Sequence, residues 1–106
     1  MKTLDKIGRA NFEKICNIVA DYLRIPRFSL KMRRGTPTMG YARHISWYYA
    51  CEWCPGLTQK ELGDLLGKKS RTGVIYGQQR IKKALADPNN NQIKEDIIKI
   101  NSLLNV

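Results

Sequence analysis

At 106 residues the chain has room for one domain with a modest core and is too short for two. With 42% apolar and 26% charged residues it does not read as disordered or fibrous, and no run approaches the roughly 18 apolar residues of a membrane span. A net charge of +10 and an isoelectric point near 9.8 point to a phosphate-rich partner. Three cysteines, an odd number behind an N-terminus with no apolar signal core, do not form a disulfide framework, so the expected compartment is the cytoplasm.

In chain order, RANFEKICNIVADYL (9–23) spaces Phe12, Ile15, Val19, Tyr22 and Leu23 along one helical face, and Ile25-Pro26 ends the element. The next stretch, KMRRGTPTMG (31–40), reads as an irregular basic loop. A second helix is expected from about Met39 through Trp53, with Ala42, Ile45, Tyr49 and Trp53 as its buried face. In LTQKELGDLLG, Thr58 and Glu61 have capping-box spacing, Leu62, Leu65 and Leu66 form a stripe, and Gly67 suits a left-handed stop. Ser70 is a good N-cap for a fourth helix carrying Val74, Ile75, Ile81, Ala84 and Leu85 to about Ala86. A last helix, roughly Asn91 to Leu104, holds Ile93, Ile97, Ile100 and Leu104. No β-alternation of useful length appears. The expectation is a single all-α domain over residues 1–106, of about five helices with a central helix-turn-helix.

Charge placement narrows the function. Two windows, Arg24–Arg43 and Leu65–Ala86, hold twelve of the nineteen cations and no acid. Lys68, Lys69 and Arg71 crowd the end of a helix where the backbone dipole is already positive, which costs stability unless an anion sits there. In a recognition helix that end meets double-stranded DNA. Ser70, Arg71 and Thr72 stand where short side chains reach major-groove edges, and Arg71 has the fork for guanine O6 and N7. Lys68 and Lys69 in the turn are expected on phosphates, which fix register without reading sequence.

Five blocks of the sequence resemble the C-terminal DNA-binding domain of the bacterial chromosomal replication initiator DnaA. VADYLRIP is similar to that family's V-A-x-x-[FY] helix end, and the basic loop KMRRG follows it. ARHISWYYACE parallels P-R-Q-I-A-M-Y-L-A-x-E, and LTQKELGDLLG is similar to S-[LFY]-x-E-I-G-x-x-F-G. GKKSRTGVIYGQQRI follows the signature G-x-[RK]-[DH]-H-[ST]-T-V-x-x-[AG]-x-x-[KR]-I, so the resemblance spans about residues 12–85. It implies a Trp-repressor-like arrangement of helices. It also implies Arg33 and Arg34 in the minor groove and Arg43, Thr58, Gln59 and Lys60 on the phosphate backbone. The family's Asp-His pair is replaced by Ser70-Arg71 and its second threonine by Gly73, so the initiator's own target sequence does not carry over. No G-x-x-x-x-G-K-[ST] loop occurs, and the expectation is a stand-alone DNA reader without ATPase activity, of the kind a phage or mobile element carries, or a small regulator.

Other chemistry finds little support. Cys51-Glu-Trp-Cys54 is a lone C-x-x-C without the further ligands of a zinc site. His44, the only histidine, is expected on the helix surface or the phosphate side rather than as a catalytic base, and the nine scattered carboxylates form no Ser/His/Asp set or paired acids at matching helical spacing. No catalytic residue, metal or cofactor is therefore expected. The rival reading is a protein-interaction adaptor or decoy of initiator-like fold, binding a replication or phage protein through the aromatic helix of Trp47, Tyr48, Tyr49 and Trp53. A homodimer through the amphipathic C-terminal helix is also left open.

Overall fold

The computed structural model describes residues 2–32 and 35–104, with side chains from Ala10 onward. These residues form α1 (Lys2–Leu23), a 3₁₀ helix (Arg27–Lys31), α2 (Pro37–Trp53), α3 (Gln59–Leu65), α4 (Arg71–Ala86) and α5 (Asn91–Leu104), with no strand among them. The all-α expectation holds, and so do the ends of α3, α4 and α5 to within a residue.

Two boundaries differ, and one element is added. α1 begins at Lys2 rather than Arg9. Leu4 and Ile7 continue the helical spacing of Phe12 and Ile15 in the sequence, and the intervening Gly8 costs only about 1 kcal/mol. Its C-terminus is closed by more than the proline. Arg24 adopts a left-handed φ of 59°, its N–H reaching the Asp21 carbonyl at 3.2 Å while Ile25 N–H reaches Ala20 at 3.0 Å. These are the paired bonds of a Schellman stop.

The basic segment is more ordered than its composition suggests. Arg27–Lys31 winds as a 3₁₀ helix that buries Leu30, and α2 starts at Pro37 instead of Met39. Thr36 caps α2 by accepting the Met39 N–H at 3.3 Å, and a proline at the first helical position gives up no needed donor.

α2 is the central element. Ala42, Ile45, Trp47, Tyr49 and Ala50 join Phe12, Ile15, Cys16 and Val19 of α1, Leu62 and Leu66, Val74 and Ile81 of α4, and Ile93 and Ile100 of α5 in one buried cluster. Trp53, expected on the buried face of α2, is 40% exposed, because the helix ends there at the Cys54 cap. Trp47 is buried instead and donates its indole N–H to the Leu62 carbonyl at 3.1 Å, tying α2 to α3. α5 is held by a buried carboxylate. Asp96 accepts from Tyr22 and Tyr41, each at 2.6 Å, and from Gln92 at 3.0 Å, which joins α1, α2 and α5.

Candidate nucleic-acid interface

α3 and α4 meet at a turn shaped by two glycines. Gly63 sits so close to the start of α4 that a Cβ would overlap the Lys69 carbonyl oxygen, and its own carbonyl accepts the Lys69 N–H at 2.8 Å. Gly67 takes φ +83°, where L side chains are disfavoured, and a Cβ there would overlap the Lys31 carbonyl oxygen. Both ends of the turn are capped as the residues dictate. Thr58 and Glu61 exchange hydrogen bonds of 2.9 and 3.1 Å at the start of α3, and Ser70 Oγ accepts the Gly73 N–H at 2.9 Å at the start of α4.

The approach of Gly67 to Lys31 has a larger effect. It brings the two acid-free windows, far apart in sequence, into direct contact. Lys69 Nζ donates to the Met32 carbonyl at 2.9 Å, and Arg43 donates to the same carbonyl at 2.9 Å and to the Leu30 carbonyl at 2.9 Å. Two cations, one from α2 and one from the turn before α4, thus grip the chain where the basic loop leaves the 3₁₀ helix. On the far side Arg27 pairs with Glu13 of α1 at 2.8 Å.

The expected site residues fall into distinct places. Thr72 is exposed on the outward face of α4, while Arg71, also exposed, flanks it beside α3 and lines a shallow cleft with Thr58, Gln59 and Lys60. Ser70 is exposed, with its hydroxyl oxygen engaged as the cap and its hydrogen left to donate. Gln59 donates to Gln78 at 3.1 Å, and Gln78 in turn donates to the Trp47 carbonyl at 2.9 Å, so this part of α3 is braced against the core. Lys60 and Lys68 are exposed, and Lys68 holds a left-handed φ of 59°. Arg43 and Lys69 have protein acceptors for the groups expected on phosphates. Arg33 and Arg34 lie outside the described residues.

Sequence reasoning passed over Tyr76 and Arg80, which stand exposed on α4 with Arg80 Nη1 donating to the Tyr76 hydroxyl at 3.0 Å. The signal available was their spacing, i+4 and i+8 from Thr72. No three His, Cys, Asp or Glu side chains converge among the described residues, and burial pushes the Cys54 thiol up to about 11 and Cys16 to about 12. His44 is half-buried between α2 and α4, and burial, followed by the charges of Arg80 and Arg43, lowers its pKa below the ordinary histidine value.

A family model, that of the bacterial DnaA protein helix-turn-helix, matches residues 12–81, from α1 into the second half of α4. The chain belongs to that family. Membership of the DnaA helix-turn-helix family carries DNA binding with it, and the capped α3–turn–α4 unit is its helix-turn-helix. Curated proteins and solved structures gave no match. α5 lies beyond the matched segment. No described helix is long and apolar enough to cross a membrane.

The grip on the loop gives a prediction independent of any ligand. Hydrogen bonds from a charged donor are each worth roughly 1.5–3 kcal/mol, so Arg43→Ala should free the loop base. Amide exchange at Met32, whose N–H bonds to Ser29 at 3.1 Å, should quicken by about tenfold or more, with Arg43→Lys in between. Exchange at the wild-type rate in Arg43→Ala means that the carbonyl contacts do not hold the loop.

Proposed function

We propose that this DnaA-family chain binds double-stranded DNA with sequence preference and without ATPase activity, α4 entering the major groove and the basic loop the adjacent minor groove. The observation that carries this reading is the contact of the two cationic windows at Gly67–Lys31 and at the Met32 carbonyl. A loop attached to the turn of a helix-turn-helix supports a second contact in the groove next to the one the helix enters. In this reading Thr72, Arg71 and Ser70 face base edges at the start of α4, and Arg33 and Arg34 reach the minor groove. Thr58, Gln59, Lys60 and Lys68 meet phosphates. Arg43 and Lys69 act first by positioning the loop, with any phosphate contact following from that placement.

The replacement of the family's Asp-His pair by Ser70-Arg71 redirects the readout. A histidine offers one ring nitrogen to a base edge, whereas an arginine fork pairs with guanine O6 and N7 together. The preferred site should therefore carry a guanine at the position facing Arg71.

Fluorescence anisotropy with a pooled random duplex across a salt series tests the reading. Each neutralised phosphate contributes a log–log slope of about −0.9, so four to six cationic contacts should give a slope of roughly −4 to −5. Binding that is absent at low salt overturns duplex recognition. Once a preferred site has been selected, Arg71→Ala should weaken it by about tenfold relative to random duplex. Lys68→Ala should weaken both alike and lower the slope by about one. Equal losses for both variants on both duplexes remove Arg71 from base reading.

A further inference from the structure

α4 buries Val74, Gly77, Gln78 and Ile81 and turns Thr72, Tyr76, Gln79 and Lys83 to solvent at i, i+4, i+7 and i+11, with Arg80 beside them. Tyr76 is 55% exposed, yet its ring is not loose. The His44 ring meets it edge-on with centroids 6.0 Å apart, and the Arg80 guanidinium carbon lies 5.9 Å from its centre. Gly77 lets α4 approach α2 closely enough for this, since a Cβ there would come within 2.6 Å of His44 Cδ2. His44, kept neutral near pH 7 by its lowered pKa, supports the ring without adding a repelling charge beside Arg80.

Arg80 is thereby oriented by a neutral hydroxyl at 3.0 Å and by the ring beneath it. Among the described residues it has no carboxylate partner, so its charge stays uncompensated and its remaining N–H donors stay available. An exposed arginine usually carries full side-chain freedom and loses it on binding; here part of that loss has already been met by folding. A positioned fork beside a flat phenol ring matches the edge of a base pair rather than the diffuse charge of the backbone.

We propose that Tyr76 and Arg80 determine sequence specificity, Tyr76 packing against a thymine C5-methyl group and Arg80 pairing with guanine O6 and N7. This rests on the duplex-binding reading above and extends it down α4. Thr72 and Arg80 are about 12 Å apart along the helix at 1.5 Å per residue. At 3.4 Å per step, that distance is three to four base pairs. The readout therefore covers a longer run of the major groove than the first turn of α4 reaches.

The test is selection from duplexes with a randomised core by the wild type, Arg80→Ala and Tyr76→Phe, each checked for wild-type helicity by circular dichroism. Both side chains are exposed, so both variants should fold. Arg80→Ala should erase a guanine preference at one position, roughly 10- to 100-fold in relative affinity, and leave the positions facing the start of α4 unchanged. Tyr76→Phe, which keeps the ring and releases the fork, should weaken that same preference several-fold and retain the neighbouring thymine. If Arg80→Ala instead lowers affinity for every duplex alike with a salt slope smaller by about one, Arg80 is a phosphate contact. That result, or an unchanged selected site in both variants, overturns the inference and leaves duplex binding standing. A wild type that retains no duplex at low salt overturns both.

Discussion

Gly63→Ala should be among the most damaging single substitutions in the chain, although it exchanges a helix-weakening residue for the best helix former. By propensity alone it would stabilise α3 by about 1 kcal/mol. The new methyl, however, would overlap the Lys69 carbonyl oxygen, stand 3.0 Å from its carbonyl carbon and lie 3.3 Å from Val74 Cγ2. Two of the three are backbone atoms, and no rotamer of any side chain relieves the overlap. The Gly63 carbonyl is itself committed, accepting Lys69 N–H at 2.8 Å and Leu66 N–H at 3.2 Å, so α3 cannot back away without breaking the turn. Strain of this kind costs about 3 kcal/mol net of the propensity gain, which lowers Tm by roughly 12 °C or more in a domain of this size. Gly40→Ala is the matched control. A Cβ at Gly40 meets nothing within 4 Å, and that variant should match or exceed wild-type stability by up to about 1 kcal/mol. If thermal unfolding finds both variants equally stable, the close approach in the turn is refuted.

The same position shows what a sequence does and does not reveal. Signals that act within four residues were legible. Thr58-x-x-Glu61 closes its capping box, Ser70 caps α4, and Gly67 takes the left-handed conformation expected of it. Gly63 gave no such signal, because its requirement comes from Lys69 folding back across it rather than from its neighbours in the chain. The 3₁₀ helix at Arg27–Lys31 was hidden in the same way. Leu30 stands between Phe28 and Met32 in a cationic stretch, and only the packed core shows that it is the one of the three that is buried.

Charge was legible as a quantity and less so as a destination. The two acid-free windows could be counted, but Arg43 and Lys69 were expected on phosphates and lie within 2.9 Å of loop carbonyls. The part-buried Leu30 carbonyl needs a donor within the folded protein. Arg43 supplies it, and no periodicity in the sequence encodes that pairing. Tyr76 was overlooked for the opposite reason. An aromatic residue in a helix is more often core, and only the burial of Val74, Gln78 and Ile81 shows that Tyr76 must face outward.

Asp96→Ala is the second substitution expected to have a large effect, and it bears on the part of the chain beyond the family match. Asp96 is 3% exposed and carries no cation beside it in the hydrogen-bond network. Its carboxylate is held by the hydroxyls of Tyr22 and Tyr41 at 2.6 Å each and by Gln92 at 3.0 Å. Removing it leaves two partly buried hydroxyls without acceptors and breaks the polar links of α5 to Tyr22 of α1 and Tyr41 of α2 at once, a loss of about 3 kcal/mol. Asp96→Asn keeps the shape and one acceptor and should lose about 1 kcal/mol. A second readout separates this network from simple packing. The hydrogen bond to Asp96, with burial and the carboxylate's charge adding to it, raises the Tyr22 pKa from 10.0 to about 12. Burial, followed by the same carboxylate, raises Tyr41 further. Because the folded values lie above the unfolded one, the stabilisation is complete below pH 10 and is lost as pH rises from 10 toward 12. In an alkaline titration followed by tyrosinate absorbance, Asp96→Ala should bring Tyr22 ionisation back toward its ordinary range and remove that stretch of pH-dependent stability. A variant that loses stability but keeps the late-ionising tyrosine would show that Asp96 acts by filling space, and that α5 is held by its apolar face and by the Tyr49 hydroxyl, which bonds Ile97 and Asn101.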